Sequence, residues 1–340
     1  MTNPPSRAAD DAALARMVDG HLISQLLHVA VQLDLPARLA GGPRTADELA
    51  EEVSVDAGAL RQVLRGLAAE QVLCEDSGRF GLTSLGERLG TFAGAVTARG
   101  TLYYPAVGQL LDALRTGRVA FELAYGAPMF DYLVAHSDLA AVFQGSMADR
   151  ARREADAVAG AFDYSGCRTV VDVGGGRGIL LARLLEGRSE LSGVLADLPA
   201  ALPGARDYLD AAGVGDRVRE EAIDFFVEVP GGGDVYVLSR VLHDWKDADA
   251  LRILETCRAD MPDTARLVVI DAIVPEVPSD APAAIRMDLY MLVLLGARER
   301  TESEFRVLLA SAGFRVDGVT PLDPLSGLSM ISASPSAPPA

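Results

Sequence analysis

From residue 169 onward, β-rich runs alternate with helical stretches, and this rhythm constrains the fold more than any other feature of the chain. Thr169–Val173, Val194–Leu198, Arg217–Ile223, Val235–Val241 and Arg266–Ile273 read as strands. Ile179–Leu185, Ala200–Ala212, Ala248–Asp260, and stretches near 283–296 and 302–312 read as helices between or after them. Strands that follow one another through helices run parallel, and a parallel sheet is covered on both faces. Phe314–Val319 and Leu328–Ser332 then close the chain as an antiparallel pair. The expected class is α/β, a doubly wound, mostly parallel sheet of seven strands. From Ser334 the chain is rich in Ser, Pro and Ala and should be disordered.

The 340 residues exceed what one such sheet needs, at roughly 150 residues per domain. Residues 1–10 are polar and should fray. Leu22, Leu26, Val29 and Leu33 lie at helical spacing within Leu14–Leu39. Thr45 followed by Glu48 is a capping-box pattern, and the next helix puts Leu60, Val63, Leu64 and Leu67 on one face. Val72–Glu75 and Phe80–Thr83, joined at Asp76-Ser77-Gly78, read as a hairpin. Helices with a small hairpin resemble a winged helix. Residues 101–165 read as helical, with aromatic and methionine side chains interleaved. The expected division is therefore 1–100, 101–165, 166–334 and a tail at 335–340.

Charge restricts the partners. Thirty-one Lys+Arg face 48 Asp+Glu, a net charge of −17. Residues 1–100 hold 9 Arg against 13 acids, so the winged-helix-like part has no basic recognition helix. Nucleic acid and anionic membranes both require concentrated positive charge, and neither is expected as a partner. No apolar run reaches the ~18 residues of a membrane span. Cys74, Cys167 and Cys257 form no pairing pattern, and the four histidines form no metal-ligand cluster. No metal is expected, and the expected location is the cytoplasm.

The chemistry starts at Val170-Val171-Asp172-Val173-Gly174-Gly175-Gly176-Arg177-Gly178, a strand, a glycine turn and a helix start. Glycines at 174, 176 and 178 let a ligand lie against the main chain. The dinucleotide spacing would need glycine at 179, where Ile179 stands. A diphosphate would also be repelled by the carboxylate of Asp172. S-adenosylmethionine carries a cationic sulfonium and an amino group and no phosphate, so it suits this turn better. Asp197 ends the next strand, where an acid can accept both ribose hydroxyls. The same residue could instead cap a helix before Pro199. Asp224 and Phe225 follow the third strand, where they could bind and stack on adenine, or simply make a turn and core.

After the fourth strand, Leu238–Trp245 carries His243, the only histidine of this half. A histidine past a strand end on the ligand side suits a general base, its pKa lying near neutrality. Asp271 or Glu299 could hold its ring and stabilise the protonated form.

VVDVGGGRG, LADLP, IDFF, LSRVLHDW and GARERTESEF, in this order, resemble the S-adenosylmethionine-dependent O-methyltransferases of plant phenolics and of bacterial aromatic polyketide and antibiotic tailoring. The resemblance spans nearly the whole chain. It implies a Rossmann-like methyltransferase sheet, a winged-helix-like dimerisation domain, a homodimer and an aromatic small-molecule acceptor. It implies that Asp172, Gly174, Gly176, Gly178, Asp197, Leu198, Asp224, Phe225, Ser239 and Arg240 contact the cofactor. It implies that His243 is the base, with Asp271 and Glu299 beside it, and that Phe143, Met147, Asp288 and Met291 line the acceptor pocket. Ser239 stands where plant members often have lysine, Asp271 where many have Glu, and Ile223 where Gly is usual. Relatives that use the cofactor for its charge or shape, as hydroxylases, decarboxylases or pericyclases, form an alternative. A winged-helix regulator that senses a small molecule is the alternative from another class, and the charge balance opposes it.

Overall fold

Strand residues of the C-terminal half alternate strictly between two cores. In the computed structural model, which describes residues 7–323 and 327–336, Val171, Val173, Tyr236, Leu238, Leu267 and Val269 enter one core. Val170, Val235, Val237, Val268 and Ile270 enter the other. Side chains of a strand point to opposite faces in turn, so strands apolar on both faces must be buried on both.

Ten strands are numbered in chain order. β1 (Arg44–Thr45), β2 (Leu73–Asp76) and β3 (Arg79–Leu82) form a small antiparallel sheet in the order β1-β3-β2. β4 (Thr169–Val173), β5 (Ser192–Asp197), β6 (Val218–Ala222), β7 (Val235–Ser239), β8 (Arg266–Ala272), β9 (Phe314–Asp323) and β10 (Leu328–Pro335) form the large one. Its order is β6-β5-β4-β7-β8-β10-β9. β4 to β8 are parallel, and β10 runs antiparallel to both of its neighbours, β8 and β9. The order reverses at β4, which is followed on one side by β5 and flanked on the other by β7. Ligands of open α/β sheets bind outside the carboxyl ends of strands at such a reversal.

The N-terminal elements follow local rules. Thr45 accepts the N–H of Glu48, whose carboxylate accepts the N–H of Thr45, so the capping box is formed. Leu60, Leu64 and Leu67 of helix Ala57–Ala69 are buried. Ser77 and Gly78 both have positive φ between the paired Asp76 and Arg79, a two-residue turn whose twist suits a hairpin.

Some boundaries differ from the sequence expectation. Arg7–Asp10 lie inside a helix, Arg7–Val18, and the stretch to Leu39 is broken into three helices at Asp19 and at Leu33-Asp34. The helix expected from Ala200 begins only at Ala205. The expected tail is strand as far as Pro335, and Ser336 donates its N–H to the Gly313 carbonyl at 2.8 Å. The expected tail residues 337–340 lie outside the described residues, as do 1–6. The chain divides into two compact units, 1–105 with 136–149, and 106–135 with 150–340. The segment 101–165 is therefore shared between the two units.

Candidate active site

The glycine turn is fixed by what surrounds it. Gly174 has φ +74°, and a Cβ there would stand 2.8 Å from Cγ2 of Val241. Gly175 was not singled out from the sequence, yet a Cβ on it would meet Oδ2 of Asp172 at 2.5 Å. Its signal was available, since the second glycine of the run lies directly against the strand acid. Gly176 donates its N–H to Oδ2 of Asp197 at 2.8 Å, and Leu198 donates its own to Oδ1 at 2.7 Å. Asp197 thus ties the first turn to the end of β5. Burial raises its pKa, while the two N–H groups pull it down. Gly178 precedes the helix Ile179–Leu185.

Asp172 is buried, and neither of its oxygens has a hydrogen-bond partner among the described residues. Burial, and then the nearby Asp197, push it up to about 7. A buried acid with unused oxygens under a glycine turn fits a cationic ligand and opposes a diphosphate. S-adenosylmethionine therefore fits this donor set, with Asp172, Asp197 and the turn backbone as the groups that would hold it. Asp224 is exposed and accepts the N–H of Phe226 at 2.9 Å. Phe225 packs edge-on to Phe226 and Trp245, with ring centroids 5.1 and 6.0 Å away. Ile223 belongs to the core beside β5, so the departure from glycine fills interior space.

His243 sits in the short turn Leu242–Asp244 beyond β7 and is almost fully buried. Its Nδ1 lies 2.8 Å from Oε1 of Glu299 and 3.9 Å from Oδ1 of Asp271, so Glu299 is the carboxylate that holds the ring. Nε2 lies 3.4 Å from Oδ1 of Asp244. Burial alone would lower the pKa of His243, but Glu299, Asp244 and Asp271 outweigh it and lift the imidazole to about 9. Glu299 is held low by the imidazole despite its burial, whereas Asp271 is pushed up to about 7, chiefly by burial. His243, Asp271 and Glu299 each offer an atom within 4.8 Å of the others, the spacing of a metal site as well as of a base and its acids.

Ser239 ends β7, and Arg240 after it has φ +58°. Arg240 was expected at the cofactor, but its guanidinium binds Glu154 through Nη2 at 2.8 Å and Nε at 3.3 Å. Its Nη1 is 3.9 Å from Oε1 of Glu299. Asp288, expected in the acceptor pocket, accepts the N–H of Glu299 at 2.9 Å. Met291 is buried on the same helix, Pro282–Leu295. Phe143 and Met147 are half-buried and belong to the other compact unit. Besides Gly175, two residues escaped the sequence reading. Glu154 carried no spacing signal. Arg300, next to Glu299, is buried and binds the carbonyls of Leu242 and Trp245 at 2.7 and 2.8 Å.

Comparison with known proteins identifies the family. Residues 107–315 match the O-methyltransferase domain and residues 15–91 the O-methyltransferase dimerisation domain. The O-demethylpuromycin-O-methyltransferase of Streptomyces alboniger is 40% identical over 98% of this chain and 92% of its own. The mitomycin 7-O-methyltransferase MmcR superposes with a TM-score of 0.90 at 34% identity, covering 97% of this chain and 99% of that one. The O-methyltransferase NcsB1 from neocarzinostatin biosynthesis, solved with S-adenosylmethionine and 2-hydroxy-5-methyl naphthoic acid, gives 0.78 at 30% identity over 92% and 96%. No helix among the described residues is long and apolar enough to cross a membrane. The domain match covers more than half of the chain and the relatives are up to 40% identical over nearly all of it, so the chain belongs to the S-adenosylmethionine-dependent O-methyltransferase family.

Proposed function

We propose that the enzyme methylates a ring hydroxyl of an aromatic natural product and that His243 is the general base. The observation that carries this reading is the buried 2.8 Å contact between Nδ1 of His243 and Glu299. That contact turns Nδ1–H toward the carboxylate and leaves Nε2 as the basic nitrogen. When bound, the cofactor supplies an electrophilic methyl group on a positively charged sulfur. A phenol with a pKa near ~10 is a poor nucleophile until its proton leaves. An imidazole lifted to about 9 is closely matched to that proton. Glu299 then stabilises the imidazolium, and the buried surroundings keep water from competing.

The assignment of Phe143, Met147, Asp288 and Met291 to the acceptor rests on the family resemblance. So does the homodimer, supported by the dimerisation domain at 15–91. The net charge of −17 supports an enzyme that engages neither nucleic acid nor an anionic membrane.

The test is His243→Ala. Calorimetry should show S-adenosylmethionine binding retained, while turnover on a panel of phenolic acceptors falls ~10²–10⁴-fold. Turnover that survives intact removes His243 from the mechanism. One S-adenosylhomocysteine formed per product identifies methyl transfer; product without it points to the charge-or-shape use of the cofactor.

A further inference from the structure

Glu299 holds the ring of His243, but a ring is only as fixed as the backbone that carries it. That backbone is the turn 242–247, which leaves β7 and has no side-chain cap at its start. Of the carbonyls at the end of this turn, that of Leu242 accepts the Trp245 N–H at a long 3.3 Å. Here two of them point at one guanidinium. Nη1 of Arg300 donates to the Leu242 carbonyl at 2.7 Å, Nη2 to the Trp245 carbonyl at 2.8 Å, and Nε to Oδ1 of Asp247 at 3.0 Å. Leu242 and Trp245 flank His243-Asp244. The side chain of Arg300 is 1% exposed and lies over the Phe305 ring at 5.9 Å.

The segment that supplies this grip is itself anchored. Val274 donates its N–H to the Arg300 carbonyl at 2.9 Å, joining it to the end of β8. Asp288 takes the N–H of Glu299, and Thr301 with Glu304 forms the capping box of the next helix. Two consecutive residues therefore act on the same histidine, Glu299 holding its ring and Arg300 the main chain on either side of it.

We propose that Arg300 is a positioning residue for methyl transfer, its guanidinium fixing the turn 242–247 so that His243 stays seated on Glu299. The proposal rests on the reading of His243 as the base. A lysine has one charged tip and cannot meet three acceptors in fixed directions, so Arg300→Lys is the diagnostic change. A small displacement of a catalytic group costs orders of magnitude in rate.

The experiment compares wild type, Arg300→Lys and Asp247→Asn. It measures kcat, KM for both substrates, Tm, and the titration of His243 by NMR on 13C-histidine protein. Glu299, Asp244 and Asp271 face that ring, with Arg240 beside Glu299, and the contact with Glu299 should loosen. Arg300→Lys should keep its affinity for S-adenosylmethionine, lose about tenfold or more in kcat, and titrate His243 below the wild-type midpoint. Asp247→Asn retains a neutral acceptor for Nε and should show smaller changes of the same sign. A fall in Tm with kcat and the His243 titration unmoved would make Arg300 structural only and overturn the proposal. Should Arg300→Lys fail to fold, the same unmoved pair in Asp247→Asn overturns it. Failure of the base reading looks different, because His243→Ala would then retain turnover.

Discussion

Asp288 accepts the backbone N–H of Glu299 at 2.9 Å, although eleven residues separate them and its helix ends at Leu295. The contact fixes the loop from which Glu299 reaches His243. Asp288→Ala should therefore lower kcat by about tenfold, the equivalent of ~1.4 kcal/mol, beyond any rise in KM for the acceptor that it lines. Asp288→Asn keeps an accepting oxygen and should retain most activity. A rise in acceptor KM without loss of kcat would make Asp288 a pocket-wall residue alone.

The imidazole of His243, raised to about 9, is protonated at neutral pH in the free protein. Only its neutral form can take a proton, so turnover should rise with pH from 7 and level off near that value, by about tenfold per unit on the steep limb. Glu299→Gln removes the largest charge that lifts it, which should move the limb to lower pH and lower the plateau. S-adenosylmethionine brings a positive charge and S-adenosylhomocysteine does not. The first should shift the His243 titration down and the second should barely move it. Equal shifts would disconnect the histidine from the sulfonium.

Asp172 shapes the stability of the free protein. Its ordinary pKa is about 3.9, and in the fold burial followed by Asp197 pushes it to about 7. The folded form binds this proton more tightly than the unfolded form. The contribution is complete below the unfolded value and is lost as pH rises through 7. Tm without ligand should fall between pH 5 and 8, and Asp172→Asn should flatten the slope while weakening cofactor binding. Matching slopes in the two proteins would refute the assignment.

Met17 and Val18 are 75% and 72% exposed on a helix, Arg7–Val18, that buries none of its described residues. Leu14, one turn before Met17 and Val18 on the same helix, and Leu22, on the next helix, are exposed as well. Exposed apolar side chains so grouped mark an association face. Met17→Asp combined with Val18→Asp should give a monomer by light scattering, with Tm little changed. A dimer that persists would place the interface elsewhere.

Much of this was legible in the sequence because it is local. Val170 to Val173 alternate between two cores, and Thr45 with Glu48 announces a helix start. The same spacing at Thr301 and Glu304 fixes the start of the last helix. His243 and its acids were legible as a set, but not which acid holds the ring. That depends on reach: Glu299 comes within 2.8 Å and the shorter Asp271 stops at 3.9 Å. Arg240, Glu154 and Arg300 were harder, because a guanidinium declares its partner only when distant segments meet. Arg240 finds Glu154 across 86 residues and Arg300 finds Leu242 across 58.

β10 comes last in the sequence, yet it lies between β8 and β9 and bonds to both. Residues 328–335 therefore join the parallel strands to the edge strand β9. During synthesis, the edge of β8 that faces away from β7, with Asp271 on that strand, waits for its partner until residues 328–335 have emerged. A chain without those residues would leave the edges of β8 and β9 that β10 joins unsatisfied.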